Sequence, residues 1–202
     1  NMASKTNKEI IVYSEQIAAL ESELDLQTKE LEKYKAESKA TEEEKAIAQS
    51  TQESYEALIT AIEHYNKEGY SKSKLADELL AIKVASLGAT AKTKYDAMTK
   101  EIFTQQCEEL YDKASKSFEV LNYTRTIECL DKVVKMNEQY KDGEALYMLM
   151  VSYQKKEQAD KATAIYNRIL ELYPDKDVAK KATEFMKPAE ETSQGETTQP
   201  TE

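Results

Sequence analysis

Shifted by 36 positions, the chain matches itself. Leu110 falls on Leu146, Tyr111 on Tyr147, Thr126 on Ala162, Leu130 on Tyr166 and Val133 on Ile169. A period of this length marks a stacked supersecondary unit, and the helical spacing inside each copy makes that unit a pair of helices. One pair cannot bury its own apolar face, and about three stacked units are needed for a stable array. The two copies, 107–140 and 143–174, therefore require caps. The residues predict a divergent hairpin over 53–87, with Tyr55, Leu58, Ile59, Ile62 and Tyr65 before Gly69 and Leu75, Leu79, Leu80 and Ile82 after it. At the other end they predict a capping helix over 177–186. Asp175 and Asp177 read as N-capping residues of that helix, in preference to a calcium-ligand pair.

A second pattern occupies the N-terminal region. Ile10, Ile17, Leu24 and Leu31 stand at one seam position of a heptad, and Tyr13, Leu20, Gln27 and Tyr34 at the other. Such a seam predicts a coiled coil, with Gln27 as a polar interruption that can fix register or strand number. The partner of the seam is left open between another copy of the chain, a different protein and the chain's own downstream helix. Neither Gly nor Pro occurs before Gly69, which favours one unbroken helix from Lys8 to Asn66, roughly 90 Å long at about 1.5 Å per residue. Against continuity stand two capping boxes, Thr41 with Glu44 and Ser50 with Glu53, either of which restarts a helix. The organisation expected is thus a coiled-coil helix over 1–52, a helical-hairpin array over 53–187 and a mobile tail over 188–202, where no aliphatic or aromatic residue larger than Ala remains.

The second copy closely resembles a tetratricopeptide repeat. Leu146, Leu149, Tyr153, Ala162, Tyr166 and Pro174 stand at that motif's spacings, with the small Ala at the helix crossing and Pro closing the unit. The first copy is weaker, since Ser117 replaces the first-helix Tyr, Thr126 replaces the crossing Ala and no Pro follows. Met150 stands where the motif has a small residue, which implies looser or altered helix packing. The fold implied is all-α, a long coiled-coil helix followed by an α-α superhelix of tetratricopeptide-like hairpins. The order of coiled coil then repeats is similar to bacterial envelope proteins, including a periplasmic cell-division coordinator family and single-pass membrane proteins of Firmicutes. That resemblance implies an extracytoplasmic protein tethered through a segment upstream of Asn1. It also implies that the concave groove carries the function. First-helix groove positions fall on Glu108, Tyr111, Ser115 and Phe118 in copy one and on Glu144, Tyr147, Val151, Gln154 and Lys155 in copy two. The alternative for Tyr111 and Tyr147 is packing between helices alone.

Composition narrows the remaining function classes. A net charge of -10 disfavours a nucleic-acid or anionic-membrane binder, which needs clustered cations against phosphates. No apolar run reaches the roughly 18 residues of a membrane span, so no membrane contact is expected of this segment. Thirteen Tyr and no Trp suit half-buried helix faces and recognition surfaces. The single histidine, His64, cannot build a metal site alone, and no zinc, phosphate-loop or nucleophile-elbow spacing occurs. Cys107 and Cys129 fall on the order of 10 Å apart across a helical hairpin, beyond the roughly 7 Å limit for a disulfide, and read as reduced half-buried thiols. No enzyme, cofactor or metal is expected. The chain reads as a protein-protein interaction module or scaffold, self-associating through its coiled coil and presenting a groove to a protein or peptide. The alternative is a structural spacer of the cell envelope with no ligand in that groove.

Overall fold

The computed structural model describes residues 2–36 and 42–187, with side chains from Glu9 onward except Tyr34 and Ala36. Tyr34 of the seam, Thr41 of the first capping box and the 188–202 tail lie outside the described residues. The helices are α1 (Met2–Ala36), α2 (Glu42–Asn66), α3 (Lys72–Ala81), α4 (Ala89–Glu119), α5 (Tyr123–Met136), α6 (Glu144–Lys155), α7 (Ala159–Leu172) and α8 (Asp177–Met186). Short 3-10 turns lie over Val84–Ser86 and Tyr140–Gly143, and no strand occurs among the described residues. The fold is all-α and tetratricopeptide-like. Contacts divide it into two compact units, one of Asn1–Asp112 with Lys135–Asn137, the other of Lys113–Val134 with the residues from Glu138 on.

The first unit corrects the expectation of one long helix. Two helices, α1 ending at Ala36 and α2 beginning at Glu42, run antiparallel against each other. Tyr13 meets the Tyr65 ring edge-on at 6.3 Å, and further along the pair the Tyr55 hydroxyl donates to Glu23 at 2.6 Å. The seam therefore packs on the chain's own downstream helix. Leu20 and Leu31 are 1% and 4% exposed, Ile17 and Leu24 are partly buried against the core, and Tyr13 and Gln27 are half-buried. Ile10 stays 58% exposed. No boundary falls at residue 52, and Ser50 restarts no helix. It sits inside α2, where its carbonyl accepts from the Ser54 hydroxyl while Thr51 bonds back to Ile47, local bonds that leave the ladder intact.

The remaining helices of this unit close over the same core. Gly69, at φ +74°, ends the turn after α2, and Ser71 caps α3 by accepting from the Lys74 amide. Leu58, Ile62, Leu75, Leu79, Met98 and Ile102 are fully buried together with Leu20. Each such side chain contributes about 2 kcal/mol of transfer free energy. The buried Tyr95 hydroxyl donates to the Leu79 carbonyl, which leaves no orphan at that point.

In the second unit the 36-residue period reappears as matched hydrogen bonds. The turn after α4 closes with Asn122 N–H to Ser117 O at 2.8 Å and Leu121 N–H to Phe118 O at 2.9 Å. The turn after α6 closes with Gln158 N–H to Tyr153 O at 2.9 Å and Glu157 N–H to Gln154 O at 3.0 Å. Both are Schellman endings, and both place a non-glycine residue in the left-handed region, Leu121 at φ +58° and Glu157 at φ +59°. Leu121 gains little from burial there, since it is 66% exposed. Leu121→Gly is expected to stabilise the protein by about 1 kcal/mol, read as a higher urea midpoint at unchanged slope.

Departures from the motif are accommodated locally. Thr126, at the crossing position, is fully buried, and its hydroxyl returns to the Asn122 carbonyl at 3.0 Å, so it behaves as a small, satisfied residue. Met150 loosens nothing. It is completely buried, the flexible thioether filling the place of a smaller residue. Across this unit Tyr153 donates to Asp131 at 2.6 Å, and Arg168 holds Glu138 through two bonds of 2.6 and 2.8 Å. The α8 helix is N-capped by neither aspartate. Lys176 holds the cap position without a side-chain bond, while Asp177 lies in the first turn, where the helix dipole favours its charge, 3.4 Å from Lys180.

Candidate partner surface

On α6 the groove positions follow from helical spacing. Glu144, Tyr147, Val151, Gln154 and Lys155 recur every three or four residues and share one face. Much of that face is covered by α8. Tyr147 meets the Phe185 ring edge-on at 6.5 Å and 75°, a favourable aromatic geometry, and Lys181 stands 3.9 Å from Glu144. Burial raises the Tyr147 pKa, with Glu144 and Glu184 adding to the effect, so the ring presents a neutral hydroxyl. Val151 is 5% exposed and belongs to the core, so it cannot line an open groove as expected from spacing. Of this set Gln154 and Lys155 are exposed, and Glu144 and Tyr147 are half-buried.

The copy-one positions are spread over both units. Glu108 and Tyr111 belong to the first unit and are exposed and half-buried respectively. Ser115 and Phe118 belong to the second, both half-buried, and Phe118 packs edge-on against Tyr123 at 5.9 Å across the turn after α4. The Tyr147 and Phe118 rings thus both make contacts within the chain, with Phe185 and Tyr123. The signal that sequence reasoning missed is the amphipathicity of α8, whose Phe185 is spaced to reach back over α6.

The tyrosine excess has a structural use as well. Tyr55, Tyr65, Tyr70 and Tyr153 donate to Glu23, Glu101, Glu78 and Asp131, each pair joining separate stretches of helix or turn. Desolvation first and the acidic acceptor second raise the phenol pKa values of Tyr55, Tyr65 and Tyr153, whereas for Tyr70 the bond to Glu78 is the first cause and desolvation the second. His64 ties α2 to α3, bonded to Glu78 at 2.8 Å and stacked on Tyr70 at 4.1 Å. Among the described residues no cluster of three or more His, Cys, Asp or Glu is placed to hold a metal ion.

Neither cysteine is in a disulfide, and both are buried. Burial pushes Cys107 from its ordinary value of 9.0 up to about 11 and raises Cys129 as well. Because the thiolate is the nucleophile, both are expected to resist an aromatic disulfide reagent at pH 8 until the chain is unfolded in urea. The raised pKa also carries a sign for stability. The contribution of neutral Cys107 is complete below pH 9.0 and is lost as the pH rises through about 11.

These features define a class: an all-helical protein built of stacked hairpins. The tetratricopeptide repeat family model matches residues 144–176, the segment from α6 to the turn before α8. That segment is thus similar to a tetratricopeptide repeat, a unit that generally mediates protein-protein interaction. No curated protein and no solved structure matches the chain. No helix among the described residues is long and apolar enough to cross a membrane.

Proposed function

We propose that this chain is a non-enzymatic interaction scaffold whose tetratricopeptide unit engages a protein or peptide partner. The observation that carries the reading is the repeat over 144–176, with the exposed Gln154 and Lys155 at the end of α6. Self-association through the N-terminal helix belongs to the same proposal, because joining two recognition units raises avidity without any new contact. Placement in a bacterial cell envelope also belongs to it, resting on the order of heptad helix before repeat. Accessibility of the tagged protein to protease in intact cells tests that placement.

The experiment for partner binding is capture from the native host with the full chain and with a Gln154→Arg, Lys155→Glu variant. These residues are exposed, so the variant folds, and loss of a reproducible partner supports the groove. A second reading, a structural spacer with no ligand in the groove, is favoured by the packing of Tyr147 on Phe185 and the burial of Val151. Partners retained in full by the variant decide for the spacer.

A further inference from the structure

In the first unit a cleft of about 610 Å³ opens between α1 and α4. Its α1 wall carries Val12, Glu15 and Ala19, and its α4 wall carries Lys94. Val12 is 48% exposed and follows Ile11, exposed at 57%, whereas Ala19 presents only a methyl group. Leu20 of the seam also lines the cleft, but Val12, Glu15 and Ala19 stand outside the seam positions, so the exposed wall lies beside the face that packs on α2.

The charges on the two walls are unmatched. Lys94 is partly withdrawn from water, with the Tyr13 ring 4.2 Å and the Tyr65 ring 5.6 Å from its ammonium, and no described carboxylate pairs with it. Desolvation lowers its pKa, and no nearby acid opposes that shift. Aromatic faces stabilise such a cation without neutralising it. Glu15, exposed on the opposite wall, likewise has no cationic partner among the described residues. One surface thus holds both halves of an ion pair that it does not close within itself.

We propose that this surface is self-complementary and that two copies of the chain pair through it about a two-fold axis. In an isologous contact each residue meets its counterpart's complement, so Glu15 of each copy reaches Lys94 of the other. The inference rests on the self-association part of the proposed function and gives it a surface other than the heptad seam.

Sedimentation equilibrium of the full chain tests it. A dimer is expected, weakened at least about tenfold by Glu15→Lys or Lys94→Glu alone through like-charge contact, and recovered when both are reversed in one chain. Glu15 is exposed, so its reversal leaves the fold intact, and circular dichroism of each variant verifies this. A wild-type chain that stays monomeric at millimolar concentration overturns both self-association and this surface. A dimer indifferent to Glu15→Lys overturns the surface alone. Neither result touches partner binding by the second unit.

Discussion

Gly143→Ala is expected to destabilise the second unit by about 2–4 kcal/mol, the left-handed penalty and a steric clash acting together. Gly143 stands at φ +91° as the residue before α6, after two more left-handed residues, Lys141 at +54° and Asp142 at +52°. The turn between repeats is built from this run, and Gly143 is itself buried. A Cβ added there lies 2.7 Å from Cε2 of Tyr173, inside van der Waals contact with a ring rather than with a flexible chain end. Tyr173 has little room to retreat, because its hydroxyl is already buried without a partner. The melting transition of this unit should fall by about 10 °C or more. A double variant with Tyr173→Leu separates the two causes. It should recover the steric share and leave the backbone share. A shift within experimental error for the single variant would show that the turn relaxes freely.

How much of this was legible in the sequence depends on where the information is local. The 36-residue period is written in residues that pack within and between neighbouring helices, and the Ser117–Asn122 and Tyr153–Gln158 turns repeat it hydrogen bond for hydrogen bond. Heptad spacing on α1 was equally legible as a seam. Its partner was not, because a heptad states only that an apolar stripe must be covered. Neither Gly nor Pro stands between Ala36 and Glu42, so the usual punctuation between α1 and α2 is absent from the sequence. Three of the groove positions show a related limit. Periodicity placed Glu144, Tyr147 and Val151 on one face but could not tell a ligand from α8, and Phe185 and Lys181 stand there in the structure. Lys94 has no sequence signature at all, since its setting is made by Tyr13 and Tyr65 from two other helices.

The antiparallel pairing of α1 and α2 reverses what removal of the N-terminal helix should do. If the seam served only to join chains, deleting residues 1–41 would leave a well-behaved monomer. Here Leu20 and Leu31 are buried within the chain, and Ile17 and Leu24 pack on the core formed by Leu58, Ile62 and Leu79. Two fully buried and two partly buried aliphatic side chains amount to about 4–8 kcal/mol, comparable with the whole stability of an ordinary domain, about 5–15 kcal/mol. The Tyr55 hydroxyl also loses its bond to Glu23, although it keeps the Gly88 amide. The deletion is therefore expected to expose the face of α2 that α1 covers, to bind a hydrophobic dye and to aggregate. Light scattering and a lost or broadened melting transition would record this. A monodisperse, cooperatively melting deletion product would mean that α2, α3 and α4 close their core without α1, and that the heptad seam is free to meet another chain.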